Sequence, residues 1–267
     1  MKILIIGGGN MGLTYVRSFL RSHITDKENM MILEKSAQKA AALAEKDIGT
    51  IYRTAAECMS RADLAILAVK PQDAHSLFES IRPFTDPQQV FLSIMAGVKI
   101  QTITTALGIR KVIRAMPNLP AQIGMGMTAF TSTDEVTRIE LVMVQNLINT
   151  TGKSIYVENE AAIDAATAIS GSGPAYVWYF MEAMMDAAQK MGFSVSEAEL
   201  LVSQTFKGAV DLFNKTNFPI GEWIQKVCSK GGTTEAAMQA YSNNTLNEGI
   251  IAGAKAALER AIELGDD

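Results

Sequence analysis

Three clusters of residues in this chain have types and spacing suited to binding a ligand. The first is Gly7-Gly8-Gly9-Asn10-Met11-Gly12, where Gly7, Gly9 and Gly12 stand at G-x-G-x-x-G spacing. In a dinucleotide-binding turn, one glycine makes the tight turn, one lets backbone approach a pyrophosphate, and one lets a helix pack closely on a strand. The apolar run Ile3–Ile6 before it and the helical spacing of Tyr15, Val16, Phe19 and Leu20 after it supply that strand and helix. The helix would then aim its free N–H groups at the phosphates. The other two clusters are the polar, glycine-rich islands Ser170-Gly171-Ser172-Gly173-Pro174 and Ser229-Lys230-Gly231-Gly232-Thr233-Thr234. Both are expected to lead directly into helices, where they serve either as a seat of unpaired backbone N–H groups for a carboxylate or as plain helix caps.

What is missing narrows the chemistry. There is no nucleophile elbow, no P-loop lysine and no motif built on His23 or His75. Cys58 and Cys228 are too few and too far apart for a disulfide framework, and no metal-ligand set is suggested. Hydride transfer needs none of these, because the cofactor carries the reaction and the protein positions the acceptor.

The elements that must hold these clusters alternate in the first half. Strands are expected at 3–6, 30–33, 50–53, 63–69, 90–94 and 111–115, with edge strands at 126–131 and 154–157. Helices are expected at 37–46 behind Ser36, after the Thr54/Glu57 capping pattern, at 73–81, and at 134–149 behind Ser132/Glu135. Such alternation implies a parallel sheet with helices on both faces, and ligands then lie outside the carboxyl ends of the strands. One crevice should therefore gather Gly7–Gly12 with Ala68, Val69, Lys70 and Pro71, with Met95, Ala96 and Gly97, and with Met116, Pro117 and Asn118. Lys70 reads better as a solvated or main-chain-contacting lysine than as a catalytic one. Glu34, 22 residues after Gly12, can accept from ribose hydroxyls, which favours NAD; Lys35 and Ser36 can instead take a 2′-phosphate. The sequence leaves that choice open.

From about residue 159 only helices are expected, at 175–191, 194–213, 219–227, 233–241 and 245–264. The first is apolar nearly all round, with one polar stripe of Glu182, Asp186, Gln189 and Lys190. A half with so little polar surface calls for a dimer that buries this helix. The fold class is thus α/β: an N-terminal Rossmann-type doubly wound sheet, residues 1–158, followed by an all-helical dimerisation and substrate domain, residues 159–267.

Composition agrees with a globular chain. Of 267 residues, 48% are hydrophobic and 19% charged, ample for a core. A net charge of −4 gives no basic footprint for nucleic acid or an anionic membrane. The long uncharged stretches at 115–133 and 165–181 are broken by prolines, glycines and polar residues, so neither reads as a membrane span. A cytoplasmic location is expected, since the chain enters a strand at once without a signal segment.

Four of these pieces together resemble the pyrroline-5-carboxylate reductase family: Gly7-x-Gly9-Asn10-Met11-Gly12, Ala68-Val69-Lys70-Pro71-Gln72, Arg114-Ala115-Met116-Pro117-Asn118, and Ser170 through Tyr176. The most specific match runs from Pro219 to Met238, with Val227, Ser229, Gly231-Gly232-Thr233-Thr234 and Ala237 in the family's order. The resemblance implies an NADP- or NAD-dependent reduction of the C=N bond of 1-pyrroline-5-carboxylate to L-proline. It implies a dimer, often assembled further, with the active site between the nucleotide domain of one subunit and the helical domain of its partner. It places the substrate carboxylate on backbone amides within Ser229, Gly231, Gly232, Thr233 and Thr234, with Thr234 near the ring nitrogen as the catalytic group. Two departures stand out: Lys230 replaces the family's usual proline, and Glu34-Lys35-Ser36 lacks the arginine of NADP-preferring members. Other readings are a different cyclic-imine reductase, a β-hydroxyacid dehydrogenase relying on Lys190 or Lys207, and a non-catalytic nucleotide-binding regulator.

Overall fold

The computed structural model describes residues 1–266; residue 267, where the expected second domain ends, lies outside them. The chain opens β1 (Ile3–Ile6), α1 (Asn10–Arg21), β2 (Met30–Leu33), α2 (Ala37–Ala44), β3 (Thr50–Tyr52) and β4 (Leu64–Leu67). It continues α3 (Ala74–Ile81), β5 (Val90–Ser93), α4 (Ile100–Leu107), β6 (Lys111–Met116), β7 (Gly126–Ser132), α5 (Arg138–Asn149), β8 (Gly152–Tyr156) and α6 (Glu160–Ala166). The rest is helical: α7 (Gly173–Lys190), α8 (Val195–Asn214), α9 (Ile220–Val227), α10 (Thr233–Asn243) and α11 (Leu246–Asp266).

Eight strands form one sheet in the order β3-β2-β1-β4-β5-β6-β7-β8. The first six run parallel; β7 pairs antiparallel to β6, and β8 parallel to β7. Strand β7 is therefore interior and β8 the edge, whereas both read as edges in the sequence. Along β1, Ile3 and Ile5 join the core on one face of the sheet while Leu4 and Ile6 join the other. All four are essentially without solvent contact. This double burial is why β1 reads as an unbroken apolar run, each isoleucine contributing about 1.5–3 kcal/mol by leaving water.

Local capping patterns proved less reliable than strand patterns. Glu57 does take the N–H and hydroxyl of Thr54, at 3.3 and 2.7 Å, yet only two short 3₁₀ turns follow, Ala55–Glu57 and Met59–Arg61. Ser132 cannot cap a helix because it is paired with Ile113 as the last residue of β7. The cap lies five residues on, where Thr137 and Glu140 bond reciprocally and α5 begins at Arg138. Thr245 has φ +52, outside the extended backbone of an N-cap, so its pairing with Glu248 does not set the start of α11. The Ser194/Glu197 box does cap α8.

The chain divides into two compact units: Met1–Ser172 together with the chain from Ala257 onward, and Gly173–Ala256. Within the first, Arg114 on β6 is 1% exposed. Its Nη1 donates to Glu160 Oε1 at 2.8 Å and its Nη2 to Asp164 Oδ1 at 2.9 Å, both on α6. Glu160 Oε1 also accepts the backbone N–H of Ile100, the first residue of α4, at 2.9 Å. Removing one member of a buried ion cluster strands the others, at a cost of about 3–5 kcal/mol. Arg114→Ala is therefore expected to lose about that much stability by urea unfolding; a change under 1 kcal/mol would show that the two carboxylates find water instead.

Candidate functional site

Strands β1, β4, β5 and β6 are successive parallel neighbours, so the turns after them share one edge of the sheet. The turn after β1 is built by absence of side chains. Gly7 has φ +110, and a Cβ there would lie 2.8 Å from the carbonyl oxygen of Ala68 at the end of β4. At Gly12 a Cβ would strike the Gly7 carbonyl, so α1 can sit this close only with glycine. Gly9 differs: its missing Cβ would meet nothing within 4 Å. It is the N-cap of α1, no side chain caps it, and Asn10 and Met11 open the first turn. Two glycines thus serve packing and one leaves open space before uncapped N–H groups, which is what a pyrophosphate requires. The residues present fit a dinucleotide.

At the end of β2 both Glu34 oxygens are engaged. Oε2 accepts from Gly8 N–H at 3.2 Å and Oε1 from Ser36 N–H at 2.9 Å. The Ser36 hydroxyl caps α2 at Lys39 N–H. Sequence reading missed Arg53, whose Nη2 donates to the Lys35 carbonyl at 3.0 Å. The parallel pairing of Leu33 with Tyr52 sets Arg53 level with Glu34, a register that composition does not reveal. Two cationic residues, Lys35 and Arg53, thus stand at the end of β2 together with Glu34.

Further along the edge, Ala68 donates its N–H to Ile6 O at 2.9 Å and extends the β1–β4 ladder one residue past Leu67, before Val69. Lys70 is exposed, its carbonyl accepting from Asp73 N–H in the turn that Pro71 opens. Met95 is buried, Ala96 half-buried, and Gly97 turns with φ +74. Asn118 spends its side chain inside the fold: Nδ2 donates to Ser170 O at 3.0 Å and Oδ1 accepts from Met127 N–H at 2.9 Å.

The first polar island does not do what its composition suggested. A π-helical turn, Thr167–Gly171, carries α6 almost without a break to α7, so Ser170 and Gly171 stand within a helical stretch and not at a free N-terminus. A Cβ on Gly171 would lie 3.0 Å from Met116 Cε, so this island packs on the turn after β6.

The second island does form a turn at a helix start. Gly231 has φ +72, and Gly232 donates its N–H to Ser229 O at 2.9 Å and is the N-cap of α10, with no side chain capping it. Thr233 and Thr234 are the first two helical residues, whose N–H groups have no acceptor within the helix. The Gly231 N–H is already held by the Glu235 carboxylate at 2.7 Å. Lys190 and Lys207, the lysines a hydroxyacid dehydrogenase would use, are both exposed. Among the described residues no group of three or more His, Cys, Asp or Glu side chains is arranged to hold a metal ion.

A doubly wound sheet whose first turn fits a pyrophosphate defines a nucleotide-dependent oxidoreductase scaffold, here joined to a helical unit. Residues 160–264 match the family model described as pyrroline-5-carboxylate reductase dimerisation, and residues 2–97 match that of NADP oxidoreductase, coenzyme F420-dependent. The chain is 36% identical over 266 residues to pyrroline-5-carboxylate reductase 2 of Bacillus subtilis, covering 98% of this chain and 95% of that one. Among solved structures it is similar to a pyrroline-5-carboxylate reductase of Coxiella burnetii, with TM-score 0.91, 31% identity and 98% of each chain covered. It is also similar to the Plasmodium falciparum pyrroline carboxylate reductase with NADP bound, with TM-score 0.88, 28% identity, and 99% and 98% covered. This chain belongs to the pyrroline-5-carboxylate reductase family.

A 2′-phosphate placed at the end of β2 would be repelled by Glu34 and attracted by Lys35 and Arg53, each pair being worth up to ~4 kcal/mol near a surface at 4 Å before screening. Glu34→Ser is expected to raise the NADPH-to-NADH ratio of kcat/KM. An unchanged ratio would mean that Glu34 serves only the backbone groups of Gly8 and Ser36.

Proposed function

We propose that this protein reduces 1-pyrroline-5-carboxylate to L-proline with NADH or NADPH, working as a self-associating enzyme. The observation that carries the reading is the Ser229–Thr234 turn, which ends in an uncapped helix start within the most family-specific stretch of the chain. When bound, the reduced nicotinamide supplies the hydride, and with it the two electrons that convert C=N to C–N. The chain's own residues bind and orient. Gly7, Gly9, Asn10, Met11 and Gly12 receive the pyrophosphate; Glu34, Lys35 and Ser36 meet the adenosine ribose; the turns at Ala68–Pro71, at Met95–Gly97 and at Asn118 border the rest.

In the second unit, the backbone N–H groups of Thr233 and Thr234 take the substrate carboxylate, in the turn shaped by Ser229, Gly231 and Gly232. A carboxylate fits there because the first-turn N–H groups and the helix dipole both favour negative charge. The Thr234 hydroxyl meets the ring nitrogen and orients it, and the proton on that nitrogen comes from solvent, either carried already as the iminium or taken up as the hydride reaches carbon. No side chain in this set is a strong acid or base, so the protein's share is placement. A cytoplasmic setting fits the two free cysteines, and no helix among the described residues is long and apolar enough to cross a membrane. The test of the activity is whether purified protein oxidises NADH or NADPH on addition of pyrroline-5-carboxylate and stays silent with hydroxyacids.

Self-association follows from the family's dimerisation region and from what the second unit leaves uncovered. Helix α7 has no buried residue in the single chain, and Trp178 and Tyr179 are 52% and 70% exposed. Val177 and Met184 are also exposed, so an arginine at either would fold in a monomer but be buried unpaired in a dimer, costing several kcal/mol. Val177→Arg or Met184→Arg is expected to abolish the dimer and the activity together; an active monomer of the unmodified protein in light scattering would overturn this.

Thr234→Ala keeps the backbone seat and removes the hydroxyl. Since Gly232 and not Thr234 is the N-cap, little stability should be lost. If the hydroxyl bond strengthens in the transition state, kcat should fall by ~10²–10³, and if it only orients the ring, by about tenfold. A lower melting point with unchanged kcat would remove Thr234 from the mechanism.

A further inference from the structure

The turn at Met95–Gly97 is braced from a direction that neither the sheet nor the proposed chemistry requires. Behind it, Met95 is buried in the core and its N–H reaches Ser93 Oγ at 3.4 Å. Past it, Glu160 holds the first N–H of α4, as described above. On its open side lies the end of α11. A Cβ on Gly97 would come 2.8 Å from the Leu264 carbonyl oxygen and 3.3 Å from Leu264 Cβ. A Cβ on Gly265 would come 3.2 Å from the Gly97 carbonyl oxygen and 3.2 Å from Lys99 Cε. Two glycines thus face each other across a backbone-to-backbone contact. The Leu264 side chain is not the anchor, being 48% exposed; one turn earlier, Ala261 is buried at 8%.

Position in the sheet gives this contact its meaning. A dinucleotide laid across the β1/β4 switch point puts its adenosine half over β2, where Glu34 stands. Its nicotinamide half then lies over the strands on the other side, β4 and β5, whose carboxyl ends lead into Val69–Pro71 and Met95–Gly97. The left-handed φ of Gly97 aims the peptide groups of the second of these turns, and the contact with Leu264–Gly265 is what a shift of that turn would have to break.

We propose that the last turn of α11, through Gly265, is a positioning element for the nicotinamide half of the cofactor, acting through the Gly97 turn. This rests on the dinucleotide reading above and adds a residue that does not touch cofactor or substrate. The consequence is selective: disturbing Gly265 weakens ligands that carry the nicotinamide and spares those that end at the ribose beyond the pyrophosphate.

Gly265→Val inserts a branched side chain where even a Cβ is tight, and Gly265→Ala inserts the Cβ alone. Dissociation constants for NADPH and NADH would be read by nucleotide fluorescence, and those for ADP-ribose and its 2′-phosphate by calorimetry, on the full chain. Gly265→Val is expected to raise Kd and KM for the reduced dinucleotides about tenfold, with the ADP-ribose constants and the substrate KM within about twofold of the parent. Gly265→Ala should fall between the two, and it carries the test if the valine variant does not fold. Equal weakening of ADP-ribose would mean a general loss of the nucleotide fold, and unchanged Kd for every ligand would mean an idle contact; either overturns the proposal. Failure of the unmodified protein to bind any of the four ligands would overturn the dinucleotide reading itself, a different result.

Discussion

The close approach of Gly12 to the Gly7 carbonyl is the contact on which the first unit depends. Helix α1 can start this near the end of β1 only because residue 12 has no side chain, and β1 can turn this near β4 only because residue 7 has none and takes a positive φ. Both strands flanking β1 are hydrogen-bonded to it, so the sheet divides at this point into β2 and β3 on one side and β4 through β8 on the other. A methyl group at residue 12 would push the α1 N-terminus away from the switch point. That would separate the uncapped N–H groups of α1 from the carboxyl ends of the neighbouring strands.

A second constraint lies at the far side of the crevice, where polar groups are spent on the fold and not on a ligand. Arg114 ties β6 to α6, Glu160 passes the tie on to the start of α4, and Asn118 bridges the turn after β6 to the π-helical turn and to β7. These bonds explain why the compact first unit extends through α6 and the π turn to Ser172. They also explain why Asn118 offers a ligand little beyond its backbone: its amide oxygen and nitrogen each have a partner within the fold. Buried polar networks of this kind fix one arrangement of the elements that share them.

How much was legible in the sequence depended on the range of the interaction responsible. The strands β1, β2 and β4 were readable because burial on both faces writes an apolar run into four consecutive residues, and β5 and β6 because each carries a shorter one, Val90–Leu92 and Val112–Ile113. The glycine spacing was readable because each glycine answers a steric demand within a few residues. Capping boxes were poorly readable. The pattern at Thr54 and Glu57 closes as drawn, but the residues after it pack as 3₁₀ turns, and at Ser132 strand pairing with Ile113 overrode it. A cap satisfies the first N–H groups of a helix, whereas the length of that helix is decided by what its apolar face meets. Arg53 was invisible for a related reason, since its place beside Lys35 comes from the register between β2 and β3. The island at Ser170–Pro174 was misread because glycine and serine suit a π turn packed against Met116 as well as they suit an open helix start.

The two turns proposed as ligand seats are built by the same means, and neither relies on side-chain acid–base chemistry. One is the uncapped start of α1 at Gly9, the other the uncapped start of α10 at Gly232. Each presents backbone N–H groups at a helix N-terminus, and in the proposed function one meets a phosphate and the other a carboxylate. Amide donors do not titrate in the neutral range, so neither seat is switched by a proton on the protein. Their strength comes from preorganisation, because the glycines at 7, 12, 231 and 232 hold each turn before a ligand arrives. In a reaction whose electrons come from a cofactor, that is the contribution the protein has left to make. The thin inventory of acids, bases and nucleophiles in this sequence agrees with the proposed chemistry, in which the work is done by where two backbone turns stand.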